Sequence, residues 1–135
     1  NGTAYFEPFD PAGPEFHRRS VYRFTPRGAN LGLLDAFDCP DPSAAAPRRA
    51  VTTTPLQALS LWNNGFALRA AEAFADRVSM DAAGADTRAR RAWQLAYGRD
   101  PSADELKVAT ALVADHGLRA LCRVLFNSNE FVTVE

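Results

Sequence analysis

The sequence predicts an all-α fold, an orthogonal bundle of five to six helices preceded by an extended N-terminal arm. Three observations predict it. Apolar residues recur at the helical period along most of the second half, at i, i+3, i+4, i+7 and i+8 in two segments. Two capping-box signatures, Thr54 with Gln57 and Ser102 with Glu105, mark helix starts. The links between the predicted helices are short, as in a bundle.

Residues 1–29 form the predicted arm and residues 30–135 the helical domain. The arm holds Pro8, Pro11, Pro14 and Pro26, interleaved with Tyr5, Phe6, Phe9, Phe16, Tyr22 and Phe24. Prolines this dense forbid a long helix, and aromatics this frequent argue against a free tail. Val21 to Thr25 has the composition of a short strand. Leu31 to Phe37 reads as a two-turn helix ended by Asp38-Cys39-Pro40, and Asp41 to Pro47 as a loop.

The clearest helix start is Thr54-Pro55. The threonine oxygen can accept from a first-turn amide, Gln57 can reach back to the cap, and proline loses only an amide with no helical partner. That helix runs to about Trp62 and breaks at Asn63-Asn64-Gly65. A second begins at Phe66 and runs to about Val78, with Ser79 to Asp86 as a loop. Thr87 to Tyr97 is helical, ending at Gly98, which suits a left-handed terminus. Ser102 and Glu105 open the next helix, closed by Gly117. The last predicted helix carries Leu118, Leu121, Cys122, Leu125 and Phe126 on one face and ends at Asn127-Ser128-Asn129. Phe131 to Val134 reads as an extended apolar tail. Trp62 and Trp93 lie on apolar faces and are assigned to the core.

The 135 residues suffice for one domain with its own core. With 15 basic and 16 acidic residues, no global field would draw nucleic acid or an anionic membrane. Arg88, Arg90 and Arg91 read as a solvated helix face, and Asp104 and Glu105 would oppose phosphates at the start of a recognition helix. Nucleic acid is therefore not an expected partner. No stretch approaches the roughly 20 apolar residues of a membrane span. The chain opens on Asn1-Gly2-Thr3, with neither methionine nor a basic-then-apolar leader, and reads as a segment of a longer protein. Cys39 and Cys122 sit among apolar residues and read as buried thiols or as one disulfide.

No catalytic constellation is visible. His17, His116, Cys39 and Cys122 lack ligand spacing, and there is no nucleophile elbow, zinc-protease helix or phosphate loop. Asp35, Asp38 and Asp41 precede Arg48 and Arg49. A glycosidase needs one carboxyl of raised pKa, and neighbouring arginines lower it, so this group reads as an ion-paired hinge.

The run LLDAFDCPDPSAAAPRRAVTTTPLQALSLWNN at residues 33–64, AYGRDPSADEL at 96–106 and LCRVLFNSNEF at 121–131 resemble the family known as domain of unknown function 1553, the planctomycete-type PSD domain. The resemblance runs from about residue 17 to residue 135 and implies the C-terminal part of that domain. It further implies a large, exported bacterial protein with upstream domains of the same polypeptide as partners. Any haem would belong to a cytochrome-c-like segment upstream, so no cofactor is expected in this chain. The family has no established activity, and no catalytic residue is carried over.

Thr54, Pro55, Gln57, Gly98, Pro101 and Glu105 in the matching motifs have evident reasons in helix termination. Asp38, Arg48, Arg49, Asn63, Asn127, Asn129 and Glu130 do not. With Thr53 and Gln57 they form the candidate polar network or ligand site. The leading expectation is a buried polar network in an assembly or docking module. The alternative is a carbohydrate-processing or carbohydrate-binding part with a site near Asp38, Arg48 and Arg49.

Overall fold

The computed structural model describes residues 19–22, 33–40, 45, 47–48 and 52–133. Among the described residues are seven α-helices, one 3-10 turn and no strand, so the fold is all-α. The chain divides into two units, Asn1–Ala50 and Val51–Glu135.

In the first unit, Ser20–Tyr22 is a 3-10 turn closed by the Tyr22 amide on the Arg19 carbonyl. It replaces the start of the predicted strand at Val21–Thr25. A lone turn closes on itself with i to i+3 bonds, whereas a strand needs a partner. Residues 23–25, like most of the predicted arm, lie outside the described residues. Helix α1 covers Leu33–Ala36, inside the predicted Leu31–Phe37. Its end is set by Asp38, whose φ of 57° is left-handed. That conformation lets the Cys39 amide reach back to the Leu34 carbonyl at 3.1 Å, the long bond of a Schellman ending.

The second unit is the bundle. Helix α2 spans Pro55–Asn63 and opens with the predicted capping box. Thr54 Oγ1 accepts from the Gln57 amide at 3.3 Å, and Gln57 Oε1 accepts from the Thr54 amide at 3.0 Å. At the polar break, Asn64 Oδ1 accepts from the Phe66 amide at 2.8 Å and caps helix α3, Gly65–Asp81. The predicted loop at Ser79–Asp86 shrinks to residues 82–84, because α3 continues past Val78 and helix α4 begins at Ala85. Gly84, at φ 89°, turns the chain there. Helix α4, Ala85–Tyr97, ends at Gly98 with φ 72°, the left-handed position expected of it. Helix α5, Ala103–His116, opens with the second capping box. Gly117 alone links α5 to helix α6, Leu118–Phe126, capping both.

The predicted extended tail is corrected to a short helix, α7, Asn129–Val132. Ser128 Oγ accepts from the Phe131 amide at 3.2 Å, and the Phe131 ring stacks on Phe126, with centroids 4.7 Å apart. Cap and ring contact together hold a turn that the sequence reads as extended.

The core sits where α3, α4, α5 and α6 meet. Val78, Ala89, Ala92, Trp93, Ala109, Leu121 and Leu125 are buried together, and Ala71, Ala75 and Cys122 form a second group between α3 and α6. Five of these residues are alanines, which let helix axes approach closely. Phe74 and Leu118 pack against both groups, and Phe74 stacks on Phe126 at 5.2 Å. Trp93 is in the core as expected. Trp62 is not, with 43% of its surface exposed; among the described residues α2 packs chiefly on α3. Among the described residues no helix is long and apolar enough to cross a membrane.

Candidate functional site

Eight of the nine residues singled out from the sequence fall among the described residues. Asp38 makes the left-handed stop of α1. Arg48 and Thr53 are exposed, and Arg49 lies outside the described residues. Gln57 is buried, and beyond its box bond its Nε2 donates to Thr52 Oγ1 at 3.0 Å. Asn63 is the exposed last residue of α2, while its neighbour Asn64 does the capping. Asn127 Nδ2 donates to the Arg123 carbonyl at 2.8 Å and closes α6. Asn129 is the exposed first residue of α7, and its carbonyl accepts from the Thr133 amide. Glu130 reaches Arg99. Within the bundle these groups serve separate helix ends.

Glu130 belongs to the most strongly coupled charge group among the described residues. Arg99, on the turn after α4, holds Glu105 with Nη2 to Oε1 at 2.8 Å and Nη1 to Oε2 at 2.9 Å. It holds Glu130 with Nε to Oε1 at 2.7 Å and Nη2 to Oε2 at 2.8 Å. The Arg99 bonds and the Ser102 amide bring the Glu105 carboxyl down to about 2. Glu130 is lowered by the same guanidinium, and the two carboxylates raise Arg99. Beneath them, Tyr97 stacks edge-on against Trp93 at 5.7 Å and sets its hydroxyl 2.8 Å from Ser128 Oγ. Burial pushes that phenol up. Both carboxyls are shifted away from the raised pKa that a general acid needs. The group clasps the start of α5 and helix α7 to the end of α4.

A second constellation lies at the corner between α2 and α3, where sequence reasoning named only Asn63. Arg123 of α6 crosses to it. Its Nη2 donates to the Trp62 carbonyl at 2.6 Å, and its guanidinium carbon lies 4.2 Å from the Trp62 ring centroid. Its Nε is buried without a hydrogen-bond partner. The exposed chains of Leu56, Leu59, Trp62 and Phe66 run along the corner, at 62%, 57%, 43% and 58% exposure. Beside it, Leu68, Ala71, Glu72, Arg119, Ala120 and Arg123 line a cavity of about 250 Å³. A shallower apolar depression of about 490 Å³ runs along α5 between Asp86 and Lys107. The signal for Arg123 in the sequence is its place one turn after Arg119 on the polar edge of α6.

Among the described residues, no group of three or more His, Cys, Asp or Glu side chains could hold a metal ion. The arginines at the start of α4 are internally engaged. Arg88 Nε donates to the Ala82 carbonyl at 3.1 Å, Arg91 pairs with Asp81 at 2.8 Å, and Arg90 approaches Asp86 at 3.8 Å.

No curated protein and no solved structure matches the chain. A family model described as protein of unknown function (DUF1553), PSD1, matches residues 6–113. The match reaches into the proline- and aromatic-rich arm and ends within α5, short of the 121–131 segment that also carried the resemblance. With that share of its length matched, the chain belongs to the DUF1553 family.

Proposed function

We propose that this domain is a non-catalytic docking module of a large, exported bacterial multidomain protein, and that it packs against upstream domains of its own polypeptide. The observation that carries this reading is the apolar ridge of Leu56, Leu59, Trp62 and Phe66. Single exposed apolar side chains are ordinary on any protein. Four at successive turns around one helix corner are a patch, and patches of this kind mark interaction surfaces. The carboxylate chemistry agrees with a non-catalytic role, since Glu105 and Glu130 are both held ionised by Arg99.

Trp62 supplies the test. In a Trp93→Phe variant of the 135-residue chain Trp62 is the one indole, and in the longer polypeptide its signal is the difference between matched forms without and with Trp62→Phe. Acrylamide should quench it readily in the 135-residue chain and several-fold less in the polypeptide that includes the upstream domains. Equal quenching in the two would remove the ridge as the docking surface.

The exposed indole also favours a second reading, in which the domain is a carbohydrate-binding part and Trp62 stacks on a sugar ring. Soluble glycans titrated into the same variant would then shift the Trp62 emission. The other candidates of that reading, Asp38, Arg48 and Arg49, would be checked by alanine replacement in the same titration.

A further inference from the structure

We infer that the α2–α3 corner takes an acidic, apolar peptide segment, with its aromatic or branched side chains on the Leu56–Phe66 ridge and its carboxylates on Arg69 and Arg123. This rests on the docking reading and adds the chemistry of the partner. The first argument is charge. Residues 52–71 contain no aspartate or glutamate and one cation, Arg69. The second is placement. Arg69 Nη1 folds back over the corner, to 3.3 Å from where a Cβ on Gly65 would lie. The Arg123 guanidinium lies over the Trp62 ring, 4.2 Å from its centroid. Gly65 and Trp62 flank the Asn63-Asn64 break, so both cations are brought to one junction.

The third argument is that neither cation is in an ion pair, although Glu72 borders the cavity that Arg123 lines. Among the described residues Arg91, Arg99 and Arg119 each meet a carboxylate, the last at 3.7 Å from Glu72, whereas Arg69 and Arg123 have none. Arg123 is also partly desolvated by the indole, and its Nε is buried with no acceptor. A guanidinium fixed by stacking and by the Trp62 carbonyl loses little freedom when a carboxylate arrives. A basic partner would meet two like charges at the junction. Two cations are too few to track a nucleic-acid backbone, whose binding draws on many phosphate contacts.

The test uses the 135-residue chain and fluorescein-labelled synthetic peptides read by anisotropy. One peptide alternates glutamate with phenylalanine and leucine, a second has lysine for glutamate, and a third has serine for the apolar residues. A thymidine oligonucleotide is the fourth probe. The first peptide should bind at least about tenfold more tightly than the other probes and weaken as salt rises. Arg69→Gln should weaken it about threefold, as expected of an exposed charge, and Arg123→Gln about tenfold. Arg77→Gln, on an exposed turn of α3, should leave it unchanged. Arg69→Gln keeps the inference open to refutation should Arg123→Gln fold poorly.

Equal binding of the acidic and basic peptides would overturn the charge inference and leave the ridge as a docking surface. Binding of the oligonucleotide as tight as that of the acidic peptide would overturn it in favour of an anion surface. No binding by any peptide, or an acidic preference undiminished in both variants, would also overturn it. Protection of Trp62 in the longer polypeptide decides the docking reading independently.

Discussion

Leu121→Ala and Leu56→Ala remove the same atoms from two helices and should differ several-fold in cost. Leu121 is 1% exposed and lies in the cluster with Val78, Ala89, Ala92, Trp93, Ala109 and Leu125. Truncating it forfeits the transfer free energy of the lost carbons and leaves a cavity, together about 3 kcal/mol. Leu56 is 62% exposed, so only a minor part of its surface is in contact. Loss of that contact costs under about 1 kcal/mol, partly offset by alanine's higher helix propensity. Against the roughly 4–13 kcal/mol expected for a unit of about 85 residues, the first change is a large fraction and the second is small.

Urea unfolding followed by far-ultraviolet circular dichroism measures both in the same chain. With a slope of about 1–1.5 kcal/mol/M, Leu121→Ala should lower the midpoint by about 2–3 M. Leu56→Ala should lower it by less than about 1 M. Leu59→Ala, 57% exposed, should behave like Leu56→Ala. If the ridge leucines proved as costly as Leu121, the ridge would be packed within the chain itself. The surface assigned to docking would then not exist.

Three further outcomes follow from particular groups. Arg99 lowers Glu105 from its ordinary 4.5 to about 2 and lowers Glu130 in the same direction. The stability from the Glu105 pair is therefore full above about pH 4.5 and is lost as pH falls toward 2, and that from the Glu130 pair is lost as pH falls below the ordinary carboxylate range. Amide exchange at Val132 and Thr133 should rise across that window, while Glu130→Gln should raise it already at neutral pH and leave the Ser102–Glu105 box intact. Flat protection of α7 from pH 6 to 2 would refute the clasp. Gly117 sits at φ 83° and ψ 166°, a region nearly closed to side-chain-bearing residues, so Gly117→Ala should cost about 1–3 kcal/mol in the same urea assay although nothing obstructs its Cβ. Burial pushes the Cys122 thiol up to about 12. Iodoacetamide at pH 8 should leave Cys122 unmodified in the native chain and alkylate it in urea, as mass spectrometry of the peptides will show.

What the sequence made legible is local. Thr54 with Gln57, Ser102 with Glu105, and the helix-ending glycines at 98 and 117 act over three or four residues, and each was readable from spacing. Links that span the chain were not. Arg123 and Trp62 are 61 residues apart and Arg99 and Glu130 are 31 apart, and no local rule joins them. Asp38 and Asn127 looked functional because their backbone duties, a left-handed stop and a helix closure, leave no capping-box signature. The short α7 was missed because its cap, Ser128, stands in a polar run that also ends the preceding helix. The Phe131 contact that pins it is invisible without the fold.

Trp62 shows why the limit matters for function. Helical periodicity identifies an apolar face, and the same pattern serves a core or a docking surface equally well. What separates the two is whether another element covers the face. The faces of α3, α4 and α6 are covered, and their apolar residues are core. α2 has α3 on one side, and its outward leucines and tryptophan remain exposed at the corner where Phe66 begins the next helix. Met80 and Val108 are exposed too, at 82% and 69%, but they lie on α3 and α5 far along the chain from that corner. The α2 ridge differs from them in its three- and four-residue spacing around the helix corner, in lacking any acid over residues 52–71, and in lying beside two arginines that form no ion pair among the described residues. Exposure alone would mark a surface residue. Exposure together with unpaired charge at one junction is what the acidic-peptide proposal rests on.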